Sequence, residues 1–219
     1  MRVVGKLKEL KRTGWVHRGV AKPESVSDHM YRMAMCSFLI TDPTLDRSRV
    51  MKLAMVHDLA EALAGDIAPF QNVSKEDKRR LEEEGLDKIC ATIGSDPIEE
   101  GQHRRVSSRA AAAERSLKPR RGQAPLTFDI WCRLLVPQIK KLWYEYEDCT
   151  SEEARVVKDL DKLEMIVQAD DYEKGQGLDL GEFFESTEGC FTTPQVNTPA
   201  NSLLSAALRR AQSPHCLSA

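Results

Sequence analysis

The side chains best suited to chemistry are histidines and carboxylates in three separated stretches. His29 lies in SVSDHMYRMA, His57-Asp58 with Glu61 and Asp66 in MVHDLAEALAGDIAP, and Asp161 in VVKDLDKLEM. Glu61 stands four residues after His57 and three after Asp58, the spacings at which helical neighbours share a face. His57 falls on an apolar stripe of Val50, Leu53, Ala54, Ala60, Leu63 and Ala64. A histidine alone on such a stripe reads as an ordinary core residue. Two carboxylates beside it change the reading, because burying an imidazole and two acids is costly unless a positive charge compensates them. One divalent cation does so. His29, between Val26 and Met33, faces inward on its own helical pattern. Asp161 follows Val157 by one turn on a pattern rich in Val, Leu and Ile. Imidazole with carboxylate suits Mn, Fe, Co, Ni or Zn. Where coordination positions stay open, such a metal acidifies water and polarises a phosphoryl oxygen, which is hydrolytic chemistry.

The elements that must position these residues are helical, and the expected fold class is all-α. Apolar residues recur at three and four from Ser25 to Ile40, with Ser25 or Ser27 as cap and Thr41-Asp42-Pro43 as breaker. A second helix is expected from about Asp46 to Ala64, ended by Gly65. A third opens at Ser74 with Asp77 in a capping-box arrangement and stops at Gly94. Thr150 with Glu153 predicts the cap of a helix reaching about Tyr172, and a short helix follows near Leu180 to Ser186. Strand signals are nearly absent.

With its flanking text, the order His29, His57-Asp58, Asp161 resembles the HD-domain metal phosphohydrolases. The segments KRTGWVHRGVAKPESVSDHMYRMA, MVHDLAEALAGDIAP and VVKDLDKLEMIVQADDYEKGQGLDLGEFFEST look like the HD-domain 5′-deoxynucleotidases, in the HD domain-containing protein 2 branch. The likeness covers roughly Val3 to Gly94 and Ile139 to Pro194. It implies a helical HD-domain bundle that hydrolyses deoxyribonucleoside 5′-monophosphates with a divalent ion (Mn, Co, Mg, Fe, Ni or Zn). By the same resemblance His29, His57, Asp58 and Asp161 are the metal ligands, and Glu61 helps activate the attacking water. Asp66 lies near the substrate sugar, and Glu61, Asp66 and the Ile67 carbonyl could hold a second ion. Trp15 matches a substrate-pocket tryptophan. Bacterial relatives have a phosphate-contacting Arg directly before that Trp; Gly14 stands here, so Arg12 or Arg18 would take its place.

Composition bounds the rest. The chain has 219 residues, with 41% hydrophobic and 30% charged, enough for a full core. Lys+Arg number 32 against 34 Asp+Glu, a net charge of −2, so nothing in the whole-chain charge calls for nucleic acid or a membrane. No apolar run is long enough to span a bilayer, and MRVVGKLKELKR has no apolar signal core. Six scattered cysteines without a CxxC pair read as reduced thiols, so an intracellular, cytoplasmic enzyme is expected. Residues 1–194 are read as one HD domain, interrupted at about 100–137 by a disordered basic insertion, with a flexible tail over 195–219. From Gly101 to Pro125 there are seven Lys/Arg and one acid, and large apolar residues almost vanish. The expected partner is a small nucleotide, and a homodimer stays open. Two rival functions also stay open: another HD-domain phosphohydrolase (a phosphodiesterase or triphosphohydrolase) and a non-catalytic HD binding module. A triphosphohydrolase would want more cations than the Arg12–Arg18 segment offers.

Overall fold

The computed structural model describes residues 2–94 and 128–211. Among them, helices α1 (Thr13–His17), α2 (Val26–Cys36), α3 (Arg47–Ala54), α4 (Glu61–Ala64) and α5 (Lys75–Gly94) come first. Then follow α6 (Phe128–Glu147), α7 (Glu152–Gln176), α8 (Gly181–Glu185) and α9 (Pro194–Ala211). No strand occurs among the described residues; a single antiparallel bridge joins Lys11 to Ser25. The all-α expectation holds. No described helix is long and apolar enough to cross a membrane.

Helix α7 is the axis, packed against α2, α3, α6, α8 and α9. It buries Val156, Val157, Leu160, Ile166 and Ala169 in a core shared with Trp15, Met33, Val50, Leu53 and Phe184. A second cluster, with Val26, Leu59, Leu86, Ile89 and Trp143, locks α2, α5 and α6 together. Helix α2 begins where its capping box dictates: Asp28 N donates to Ser25 Oγ at 3.2 Å, and Ser25 N donates to Asp28 Oδ2 at 2.9 Å. That cap fixes the register of His29, one residue further on.

Four expectations are corrected. The second helix does not run unbroken from Asp46 to Ala64. Helix α3 ends at Ala54, and the chain passes His57-Asp58 in tight turns before α4. The reason is local. In a continuous helix the Ala54 carbonyl would accept from the Asp58 N–H. Here His57 Nδ1 takes it at 2.9 Å, and the following turns close with i→i+3 bonds such as Glu61 N to Asp58 O at 3.1 Å. Helix α5 packs tightly on this turn because residue 85 is glycine; a Cβ there would meet the Ala60 carbonyl oxygen at 2.9 Å. Second, Ser151 rather than Thr150 caps α7, accepting from Ala154 N at 3.1 Å, and the helix continues to Gln176. Third, the expected flexible tail forms α9 as far as Ala211, with Val196, Ala200 and Leu204 buried at i, i+4, i+8. Its Ser/Asn/Pro-rich composition masked that period. Fourth, the expected insertion over 100–137 is helical from Phe128 onward. Its basic stretch Gly101–Pro125 lies outside the described residues.

Candidate metal centre

The two histidines reach one point from different elements, with ring centroids 5.4 Å apart. His29 Nε2 lies 3.2 Å from Asp161 Oδ1 and 3.7 Å from Asp58 Oδ2. His57 Nε2 lies 3.1 Å from Asp58 Oδ2. One ligand atom from each of His29, His57 and Asp161 falls within 4.8 Å of the others, a group able to hold a metal ion.

Each imidazole is held from behind through Nδ1. The His29 Nδ1 faces Glu164 Oε2 at 2.6 Å, and the His57 Nδ1 faces the Ala54 carbonyl at 2.9 Å. Both partners are acceptors, so Nδ1 carries the proton and Nε2 presents a lone pair inward. Both Nε2 atoms, and Glu61 Oε2, are buried without a hydrogen-bond partner. Lone pairs aimed at carboxylate oxygens repel, and a divalent cation between them removes the repulsion. The donor set of two imidazoles and two carboxylates therefore fits such an ion. The other way to relieve the repulsion is a second proton on His29. Burial and Arg12 oppose that proton, but Asp161 and Glu164 outweigh them and raise the His29 pKa to about 9. An ion bound here would compete with that proton.

The carboxylates differ sharply. Burial would push Asp58 up, but His57, His29 and Arg12 overcome it and hold its pKa at about 2. Burial is likewise overcome at Asp161, mainly by His29, leaving its carboxyl well below the usual range. Glu61 has no such partner. Burial first, then the charges of Asp58 and Asp66, hold it well above the usual carboxylate range.

His57, Asp58, Glu61 and Asp161 line a cavity of about 530 Å³; His29 is not among its lining residues. Arg12, Gly14, Trp15, Asp66, Ile67 and Phe183 line it as well. Arg12 Nη1 lies 3.4 Å from Asp58 Oδ2, and Nη2 lies 4.0 Å from Asp161 Oδ1. The Trp15 indole is 2% exposed and donates Nε1–H to Glu24 Oε1 at 2.9 Å, with its ring 4.5 Å from that of Phe183. Asp66 Oδ2 accepts from Thr13 N at 2.5 Å, so this carboxylate also pins the first turn of α1 and hence Trp15. Arg18 is not among the lining residues; its guanidinium pairs with Glu182 at the surface, just beyond the end of α1.

The cavity also holds residues that the sequence reading missed. Lys158, Asp161, Lys162 and Met165 line it from α7 at spacings of three and four. Lys75, Lys78, Arg79 and Glu82 do so from α5 with the same period. That period was present in the sequence around Asp161 and could have pointed to Lys158 and Lys162.

Comparison with known proteins gives concordant findings. The HD domain family model matches residues 4–197. A Danio rerio protein named 5′-deoxynucleotidase HDDC2 is 42% identical over 198 residues, covering 90% of this chain and 80% of that one. Its Homo sapiens namesake is 39% identical, covering 90% and 78%. The crystal structure of the PH0347 protein from Pyrococcus horikoshii superposes with a TM-score of 0.63 at 27% identity, covering 95% of this chain and 96% of that one.

Proposed function

The chain belongs to the HD domain family, and on that premise we propose that it is a metal-dependent 5′-deoxynucleotidase, hydrolysing deoxyribonucleoside 5′-monophosphates to deoxynucleoside and phosphate. The observation that carries the reading is the pair of buried, unpartnered Nε2 atoms of His29 and His57 converging with Asp58 and Asp161, of which all but His29 line the cavity. The names of the HDDC2 relatives agree with it.

On this reading His29, His57, Asp58 and Asp161 hold one divalent ion, drawn from Mn, Co, Mg, Fe, Ni or Zn. The ion would supply Lewis-acid charge at the phosphoryl group and acidify water. Glu61, buried and lining the cavity beside Asp58, would serve as the proton acceptor for the attacking water. Arg12 lies against the ligand carboxylates and can offset charge developing on the phosphate oxygens. Lys158 and Lys162 flank Asp161 on the same face and add to that positive field, in the role the resemblance had left to Arg12 or Arg18. Asp66 spends Oδ2 on Thr13, leaving Oδ1 as an acceptor for the 3′-hydroxyl. A second ion at Glu61, Asp66 and Ile67 would have to share Asp66 with α1. If Trp15 packs against C2′ of the sugar, a 2′-hydroxyl would have neither space nor a partner, which can discriminate by about 10²-fold.

The cavity is richer in cations than the Arg12–Arg18 segment suggested, so scarcity of charge does not argue against a triphosphate substrate. Lys78 and Arg79, however, already pair with Glu82, Glu83 and Asp148. The test is phosphate release from dAMP, AMP, 3′-dAMP, dADP and dATP after chelation and re-addition of Mn²⁺, Co²⁺ or Mg²⁺. Release from dAMP well above AMP supports the reading. Equal rates remove deoxy-selectivity. Turnover of dATP alone, with no monophosphate hydrolysed, overturns it.

A further inference from the structure

Glu164 does not line the cavity, yet its side chain has no exposure at all. A carboxylate so placed is costly unless its oxygens are completed. Oε2 takes the His29 Nδ1 at 2.6 Å, while Oε1 takes Arg32 Nε at 2.8 Å and Nη2 at 2.5 Å. Burial would raise its carboxyl, but His29 and Arg32 hold it below the usual range. Arg32 Nη2 also lies 3.8 Å from Glu24 Oε2, and Glu24 Oε1 holds the Trp15 indole. A continuous chain of contacts therefore runs His29, Glu164, Arg32, Glu24, Trp15.

Glu24, His29 and Glu164 also form a group whose ligand atoms lie within 4.8 Å of one another. That side of His29 already has its cation, the Arg32 guanidinium, and its Nδ1 is engaged by Glu164. The vacant lone pair is on the opposite side of the ring, facing Asp58 and Asp161.

We propose that Glu164 is the positioning residue of the metal centre, with Arg32 as its anchor: by holding His29 through Nδ1 it fixes the tautomer and ring plane that present Nε2 to the ion. The inference rests on the metal reading of His29 and deepens it. Both of Glu164's neighbours are donors. A glutamine in its place has one acceptor oxygen and so can serve only one of them, with no charge to raise the basicity of the imidazole. The same arginine reaches Glu24, so the metal ligand and the aromatic wall of the pocket share one buried frame.

The test is Co²⁺ titration of metal-stripped protein, followed by the visible d–d absorption of the bound ion, for wild type, Glu164→Gln, His29→Ala and the double variant. Glu164→Gln should weaken Co²⁺ about 10–100-fold, the range for loss of a carboxylate behind a ligating histidine. Added to His29→Ala it should cause no further weakening, because the ring it positions is gone. If Glu164→Gln fails to fold, Arg32→Gln reads the same contact, with a smaller loss of affinity expected. Unchanged Co²⁺ affinity in folded Glu164→Gln or Arg32→Gln overturns the inference, as does full additivity with His29→Ala, which would mark a general structural role. The titration uses no substrate. Wild type that binds Co²⁺ but releases no phosphate from dAMP defeats the proposed reaction and leaves this inference standing; wild type that binds no Co²⁺ defeats both.

Discussion

Two aspartates on α7, two residues apart, show opposite uses of an acid. Asp159 and Asp161 point about 200° apart around the helix. Asp159 is 2% exposed and faces the start of α9. Its Oδ2 accepts from Thr192 N at 2.8 Å, Thr193 N at 2.7 Å and Thr193 Oγ1 at 2.8 Å. Asp161 faces the cavity, where its neighbours are the Tyr146 hydroxyl at 3.2 Å, His29 Nε2 at 3.2 Å and Arg12 at 4.0 Å. The first carboxylate is completed by donors the chain itself supplies and holds two elements together. The second draws on Tyr146 and Arg12 but also faces the imidazole of His29 in the cavity, where, on the proposed reading, a cation from outside would complete its surroundings. The two acids thus differ both in exposure, 2% for Asp159 against 31% for the Asp161 side chain, and in how fully the chain itself supplies their donors.

The largest expected effect lies on the cavity side. Glu61→Gln keeps the shape of the cavity but cannot accept a proton. Turnover of dAMP should fall about 10²–10⁴-fold, with Co²⁺ affinity retained. A near-wild-type rate would move the proton acceptor elsewhere, Asp66 being the next carboxylate in line.

The structural side should fail in a different observable. Asp159→Ala strips partners from buried donors at the α7–α9 junction and should lower unfolding free energy by about 2–4 kcal/mol in a urea titration. The folded fraction should still bind Co²⁺ as wild type does. Loss of Co²⁺ binding without loss of stability would erase the distinction between the two aspartates.

A second buried acid sharpens the comparison through pH. Glu82 on α5 is 7% exposed; burial raises its pKa to about 7 against the opposing pull of Lys78. An unfolded glutamate titrates near about 4.3, so between that value and about 7 the folded state holds a proton that the unfolded state has released. Stability from this residue is present at low pH and lost as pH rises through 7. Glu82→Gln should therefore raise the Tm at pH 8.5 by about 2–4 °C, equivalent to about 1 kcal/mol, and leave it unchanged at pH 4. Equal Tm shifts at both pH values would contradict the assignment.

The smallest effect is expected from removing residues 101–125. The described residues supply every group assigned to the centre. Surface-loop length costs only about 0.6 kcal/mol per doubling, so the dAMP rate should stay within about threefold. Abolished activity in a folded deletion protein would place part of the site in that segment.

Much of this was legible in the sequence, for identifiable reasons. The inward placement of His29 follows from the period of α2 and the Ser25 cap, both local signals. Asp161 could be singled out only by its order after His29 and His57-Asp58, because KDLDK offers two acids with equal claims and the sequence does not say which meets Thr192–Thr193. The turn at His57-Asp58 was not legible: an imidazole intercepting a backbone carbonyl is a side-chain event that apolar periodicity does not record. Helix α9 was hidden for a related reason, since Val196, Ala200 and Leu204 gain meaning only once α7 is there to cover them. Glu164 was visible on an apolar face, but its partner Arg32 lies 132 residues away, and no local pattern joins the two.

The central claim is that His29, His57, Asp58 and Asp161 together hold one divalent ion. It is tested most directly by anomalous scattering at the cobalt edge from crystals of metal-stripped protein soaked in Co²⁺. The account predicts a peak about 2.0–2.3 Å from His29 Nε2, His57 Nε2 and one oxygen each of Asp58 and Asp161. A peak between Glu24 and Glu164 on the Nδ1 side of His29, or no peak within reach of His57 Nε2, would contradict it.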